Sequence, residues 1–288
     1  MPTGYPTRNA LTGLRDGVRM VHDERRTHFR MPDDSSRRSE PDASKHRDEA
    51  NRAADGGRLA AAKSVLERVL GRRGEEHWSA SDYDAAQGRE VATLEDWAIR
   101  EGCWLETERW SEWEVSLGMG EHHLRLDGGR VFKATKSTRF GVYPSCSGRA
   151  TGDPSDQLKL SRGTPHQYLT RLQLLNRWAR RLDGMGERDM NRLEGCMILD
   201  SQFSIITSQP WFPHDDEQTT PSQITAWMAV RDFKGITAGV WYHRRKNLAL
   251  FDVKPSNMIL SGGHIIPMDV IPIKPSGRMK QVLGAACR

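Results

Sequence analysis

Large apolar side chains are scarce over residues 1–56, where Arg, Asp, Ser and Pro dominate, and Met31 to Asn51 offers almost nothing to bury. Such a stretch cannot offset its own ordering entropy and predicts a disordered polyampholyte tail. From Arg58 to Arg72 an Ala-rich run carries Val65, Leu66, Val69 and Leu70 as an apolar stripe at helical spacing, with Gly71 behind it; a helix is predicted there. A second helix is predicted over Thr93–Glu101, stopped by Gly102. Beyond Trp104 the pattern changes to strands. Trp113–Leu117, His123–Leu126 and Arg130–Thr135 read as short strands, the last two joined at Asp127-Gly128-Gly129. Residues 136–163 read as loop.

Thr164-Pro165 opens a helix as N-cap followed by proline in the first turn, with Leu169, Leu172, Leu175, Trp178 and Leu182 as its buried face. Met197–Leu199 and Phe203–Ser208 form a predicted strand pair about Asp200-Ser201. Thr220-Pro221-Ser222-Gln223 is a capping box opening another helix, with Ile224, Trp227 and Met228 as its apolar positions. Val240–Tyr242 pairs with Leu248–Phe251, and Met258–Leu260 with Ile265–Met268 about Gly262-Gly263. Strands and helices in this irregular order predict an α+β fold rather than βαβ alternation.

Composition narrows the function classes. The chain has 288 residues, 36% hydrophobic and 28% charged, with a net charge of +5. A basic balance favours anionic partners: nucleotides, phosphates or nucleic acid. Arg25, Arg26, Arg37 and Arg38 in the tail are interleaved with acids, so a solvated tail and a nucleic-acid contact both stay open. The four cysteines, Cys103, Cys146, Cys196 and Cys287, are far apart; the spacing argues against a zinc site or disulfide framework and predicts reduced thiols in the cytoplasm. No apolar run is long enough to span a bilayer. Gly57 to Ser64 nearly spells a Walker A loop, but Ala62 stands at its second glycine and an Ala-rich helix accounts for it. His122-His123 do not have metal-site patterning, because neighbouring residues on a strand face opposite ways, and His214-Asp215-Asp216 sits in an acidic loop. Trp104, Trp110, Trp113, Trp178 and Trp227 read as packing anchors.

The chemistry concentrates in Phe251-Asp252-Val253-Lys254-Pro255-Ser256-Asn257. A carboxylate, a lysine two positions on and an asparagine five positions on share one tight loop, and Asp269 follows at the end of an apolar strand. Phosphoryl transfer needs a carboxylate for the acceptor and oxygen ligands for Mg²⁺. D-V-K-P-S-N followed by M-D resembles the catalytic loop and metal-binding Asp of protein kinases. Arg130 to Ala134 resembles the strand carrying the phosphate-binding lysine, here Lys133. Gly118-Met119-Gly120 reads either as a degenerate Gly-rich loop or as a hairpin turn. Phe203 to Pro210 resembles the strand entering an adenine-binding hinge, which brings Gln209 and the backbone of Ser208 to Trp211 to the nucleotide. Together with Tyr168 to Asn176 and Leu193-Glu194-Gly195, these segments resemble the kinase-like domain of polyvalent proteins from phages, plasmids and other mobile elements, over about residues 90 to 275.

The resemblance implies a compact, atypical, bilobal protein-kinase-like fold with a disordered or helical N-terminal extension. Its domains are a tail over 1–56, a helical linker over 57–90 and a kinase-like domain over 91–288, divided into an N-lobe (91–210) and a reduced C-lobe (211–288). It also implies ATP and Mg²⁺, with γ-phosphate passing to a hydroxyl on a protein or small molecule. Asp252 and Lys254 are then catalytic. Lys133, Gly118, Gly120, Gln209 and Asn257 bind the nucleotide, and Asn257 and Asp269 hold the metal. Four departures stand out. Leu250 occupies the usual His position, Val270-Ile271 follow Asp269, the helix from Pro165 has no glutamate for Lys133 (Glu194 is the nearest), and only 19 residues follow Asp269. A nucleotide-binding pseudokinase, a small-molecule kinase and a nucleic-acid-binding protein remain alternatives.

Overall fold

The computed structural model describes residues 43–70, 80–112, 114–117, 122–136, 140–146, 153–182, 190–213, 215, 218–287. Helix α1 spans Ala43–Leu70 and so begins within the stretch expected to be tail. Its buried positions are Leu59, Ala62 and Leu66, at helical spacing, whereas Val69 of the predicted stripe is 50% exposed. Helix α2 spans Ala80–Arg100. Gly102 then turns the chain with φ +63°, a conformation that suits glycine. The short helix α3 (Thr107–Glu112) replaces part of the predicted strand region.

Strands β1 (Glu114–Leu117), β2 (His122–Asp127) and β3 (Arg130–Thr135) follow. Gly128 and Gly129 join β2 to β3 with φ of 51° and 72°, the left-handed pair that a two-residue hairpin turn demands. The predicted loop over 136–163 instead holds β4 (Val142–Cys146), the single turn α4 (Pro154–Gln157) and β5 (Leu158–Arg162), with β4 and β5 paired antiparallel.

Helix α5 (Pro165–Ala179) opens with the capping box of Thr164 and Gln167, each side chain taking the other's backbone N–H. After it come β6 (Arg192–Leu199), β7 (Gln202–Pro210), α6 (Pro221–Val230), β8 (Lys234–Thr237), β9 (Val240–His243) and β10 (Leu248–Phe251). A 3₁₀ turn (Pro255–Asn257), β11 (Met258–Ser261), β12 (His264–Pro267), β13 (Ile271–Ile273) and α7 (Gly277–Ala286) complete the described chain.

The fold is α+β. A five-stranded antiparallel sheet runs β1-β2-β3-β7-β6, a four-stranded sheet runs β13-β10-β9-β8, and β11–β12 form a separate hairpin. Leu59, Ala62 and Leu66 of α1 and Leu94, Trp97 and Ala98 of α2 pack in one core with Tyr168, Leu169 and Leu172 of α5 and with Leu193 and Ile205 of the first sheet. Each fully buried Leu or Ile contributes roughly 1.5–3 kcal/mol over its exposed state. The predicted linker is therefore part of the core, because α1 and α2 bury their own stripes against α5.

The C-terminal half of α5, through Leu175 and Trp178, joins a second core with Ile224 and Met228 of α6, Leu250 and the β11–β12 hairpin. On the other face of the second sheet, Tyr242, Phe251 and Ile271 pack against Leu283 of α7. Helix α5 thus bridges both sheets. Its buried Asn176 secures the next segment, giving Nδ2 to the Asn191 carbonyl at 2.6 Å and taking the Asn191 N–H on Oδ1 at 2.7 Å. Among the described residues no helix is long and apolar enough to cross a membrane.

Candidate active site

Lys133 stands in β3 opposite Leu124 of β2 and Thr207 of β7, so these three side chains share a face of the sheet. Helix α5 covers that face and is fastened to it by the Tyr168 hydroxyl and Thr207 Oγ1, 3.1 Å apart. The Lys133 side chain is 9% exposed, and an ammonium so enclosed requires a counter-charge. It comes from the far end of the chain: Nζ donates to Asp269 Oδ1 at 2.6 Å. Glu194 does not serve. It bulges from β6 and accepts a hydrogen bond from Ser208, whose hydroxyl also takes Arg130 Nε at 3.0 Å. Ser208 pairs with Phe132, on the opposite face from Lys133.

The Asp252 loop closes on itself. Asp252 adopts φ +56°, a strained conformation for a residue with a side chain and one often found at functional sites. Asn257 Nδ2 donates to the Asp252 carbonyl at 2.8 Å and to Oδ2 at 2.7 Å. Lys254 Nζ lies 2.9 Å from Asp252 Oδ1 and 3.1 Å from Oδ2. The backbone is held from two sides: the Val253 N–H donates to Gly239 O at 3.0 Å and the Met268 N–H to Asn257 O at 2.9 Å. Phe251 pairs with Ile271 in the antiparallel β10–β13 ladder, which places Asp252 and Asp269 at the same end of that ladder. Lys133 and Asp269 form one pair and Asp252, Lys254 and Asn257 one loop, and the two are joined through the backbone bond from Met268, the neighbour of Asp269, to Asn257.

The pair of Asp269 and Lys133 sets the local field. The Asp269 side chain is 57% exposed, so desolvation raises its pKa only weakly; the Lys133 ammonium overrides it through charge and hydrogen bond, and the carboxyl is held down from 3.8 to about 2. His122, on β2, is pushed down from 6.5 to about 3, first by burial and then by Lys133 and Arg171. Its imidazole is neutral at pH 7, lies 5.7 Å from the Tyr168 ring, and its buried Nε2 has no partner among the described residues.

A titration with a definite sign follows. The folded pKa of His122 lies below the unfolded value, so its contribution to stability is complete above 6.5 and is lost progressively as pH falls toward about 3. Urea unfolding at about pH 5 and about pH 7.5 is expected to show this loss, at most about 1.4 kcal/mol per pH unit. His122→Phe should flatten the slope over that range; an unchanged slope removes His122 as its source. Asp269 acts lower, losing its contribution between 3.8 and about 2.

Other predicted residues fall elsewhere. Gly118 and Gly120 lie outside the described residues. Gln209 is buried in β7, on the same face as Lys133 and two positions beyond Thr207. The hinge backbone is less available than expected: Pro210 has no N–H, and the Trp211 N–H is donated to Gly129 O at 2.8 Å. Asp215 instead holds the β11–β12 turn, its carboxylate accepting the Gly262 and Gly263 N–H groups at 2.9 and 3.0 Å. Among the described residues no three His, Cys, Asp or Glu side chains cluster as a metal site. Burial pushes the Cys103 and Cys196 thiols up, so neither is a thiolate nucleophile at neutral pH.

Arg171, His122 and Asn191 line the cavity beside Lys133 and Asp269 and were not singled out as site residues from the sequence. Arg171 carried one readable signal: it is a cation three positions from Tyr168 on the helix that opens at Thr164-Pro165. No family model matches this chain, and no curated protein or solved structure matches it either.

Proposed function

We propose that this chain is an atypical, kinase-like phosphotransferase that transfers the γ-phosphate of ATP to a hydroxyl acceptor, of the kind found in polyvalent proteins of mobile elements. The observation that carries the reading is the meeting of Lys133 with Asp269 at 2.6 Å, beside a loop in which Asn257 braces Asp252. In this reading β1, β2, β3, β7 and β6 with α5 form the lobe over the nucleotide, and β8 to β13 form a reduced catalytic lobe. The order catalytic loop, hairpin, Asp269 and returning strand supports it. Leu250, at the position where a kinase carries histidine, is fully buried, so the loop is anchored by apolar packing instead.

The donor set suits Mg²⁺. Asp269 engages Lys133 through Oδ1, leaving Oδ2, and Asn257 spends its Nδ2 on Asp252 while its amide oxygen accepts only a long bond from Ser256 Oγ at 3.4 Å and keeps a lone pair. Two hard oxygen donors are enough for an ion that completes its shell with phosphate oxygens and water. When bound, Mg²⁺ supplies charge neutralisation and alignment of the phosphates.

The remaining work is done by the chain. Lys133 binds the α- and β-phosphates. Asp252 orients the acceptor hydroxyl and takes its proton as the new O–P bond forms and the bond to the ADP leaving group breaks. Lys254, beside the same carboxylate, steadies the transferred phosphoryl group. Catalysis on this scheme is positioning and electrostatics.

The test is calorimetric titration of Mg·ATP into the protein and into Asp269→Ala. Magnesium-dependent binding is expected for the wild type and is expected to be lost in the variant. A folded wild type that binds ATP neither with nor without Mg²⁺ overturns the reading and turns attention to the N-terminal arginines as nucleic-acid contacts, whose signature is steep salt dependence.

A further inference from the structure

The cavity between α5 and the Met268–Val270 segment is lined by His122, Lys133, Tyr168, Arg171, Asn191 and Asp269, among others. Its charges do not balance. Lys133 and Arg171 each bring a positive charge, Asp269 alone brings a negative one, and His122 is neutral at pH 7. No carboxylate pairs with Arg171 among the described residues.

The guanidinium is nevertheless held in place. Its Nη1 donates to Val142 O at 3.2 Å, its plane lies 5.0 Å from the centroid of the Tyr168 ring, and a Cβ at Gly141 would stand 2.7 Å from it. The other donors of this fork are without partners among the described residues, and arginine forks match the oxygens of phosphate. A fixed fork with spare donors beside a buried ammonium has the elements of an anion receptor, and since the cavity of about 10 Å³ has room for only about one water, an anion enters by displacing Asp269 from Lys133.

We propose that Arg171 and Lys133 together form a two-cation subsite for a polyphosphate, in which Asp269 is the built-in counter-ion that the ligand replaces at Lys133. This deepens the phosphotransferase reading and rests on it, since the polyphosphate is the tail of the nucleotide. It also accounts for the missing glutamate of α5: the helix presents a second cation to the phosphates instead of a carboxylate to the lysine. A site with two cations favours a triphosphate tail over shorter ones.

The experiment is calorimetric titration of inorganic tripolyphosphate, without Mg²⁺, into the full chain and three variants, each checked for folding by circular dichroism. Wild type is expected to bind. Arg171→Gln should weaken binding about tenfold or more, and Arg171→Lys should retain part of the affinity. Asp269→Asn should bind more tightly than wild type, a gain that misfolding does not produce and that keeps the test decisive if Arg171→Gln fails to fold. Unchanged binding in folded Arg171→Gln, or no gain in Asp269→Asn, overturns the proposal.

Mg·ATP run in parallel separates the two readings. Mg·ATP binding indifferent to Arg171 leaves the phosphotransferase and removes the subsite. Arg171-dependent tripolyphosphate binding without Mg·ATP binding keeps the anion receptor and removes the kinase. Binding of neither ligand removes both.

Discussion

Replacing Asp252 with Asn is expected to lower γ-phosphate transfer by about 10²–10⁴-fold while leaving Mg·ATP affinity unchanged. On the phosphotransferase reading the carboxylate takes the acceptor proton, and it already accepts hydrogen bonds from Asn257 and Lys254. Asn is the informative substitution. Position 252 holds φ +56°, which Asn tolerates better than most residues, so the variant changes the chemistry without adding backbone strain. Alanine would confound the two. The measurement is ADP release from ATP, with and without candidate hydroxyl acceptors, beside calorimetric Mg·ATP affinity. Equal turnover in wild type and Asp252→Asn removes Asp252 from the chemistry. A wild type that binds Mg·ATP but turns over no faster than the variant is a nucleotide-binding regulatory module.

The second large effect concerns the sheet that carries Lys133. Gly195→Ala is expected to cost about 3 kcal/mol or more. A Cβ there would stand 2.1 Å from the Cys103 carbonyl oxygen and 3.0 Å from Leu105 Cγ. Neither neighbour can yield cheaply, because the Cys196 N–H donates to Cys103 O at 3.1 Å and the Leu105 N–H to Cys196 O at 2.8 Å. Urea unfolding measures the loss. Gly88→Ala is the control of opposite sign: it lies within α2 with open space around it and should gain about 0.5–1 kcal/mol. Equal stability of Gly195→Ala and wild type would mean that the strand and the Cys103 segment separate more readily than their hydrogen bonds indicate.

Much of the fold was legible where local chemistry and packing agree. The Thr220 capping box and the Thr164 N-cap with its following proline form as read, and Thr164 proves to have a capping box of its own with Gln167. The turns at Gly128-Gly129, Asp200-Ser201 and Gly262-Gly263 fall where their residue types favour positive φ. The missed elements draw their stability from distant partners. Helix α3 is only six residues long and is held by buried Trp110 and by Thr107 Oγ1 donating to Ile198 O at 3.0 Å. Strands β4 and β5 lie in a stretch punctuated by Gly, Ser and Pro, yet the apolar Val142, Tyr143 and Leu158 pack against α7 and the second sheet. Helix α7 starts at Gly277 and is fixed by burial of Val282 and Leu283.

In the candidate site the division is the same. The Asp252 loop could be read because its members lie within six positions of one another. That Lys133 takes Asp269 as partner, and that Arg171 rather than a carboxylate faces it from α5, depends on three elements brought together only by the tertiary fold.

The Lys133–Asp269 bond joins residues 136 positions apart in the chain. At a synthesis rate of about 5–20 residues per second, Lys133 is made roughly 7–27 s before its counter-ion. Throughout that interval Lys133 has no Asp269 to neutralise it, and an unpaired ammonium resists burial beneath α5. The closing contact also carries the loop entropy of nearly half the chain. The nascent sheet is thereby expected to stay open around Lys133 until the C-terminal strands arrive, with the Lys133–Asp269 contact forming late in folding.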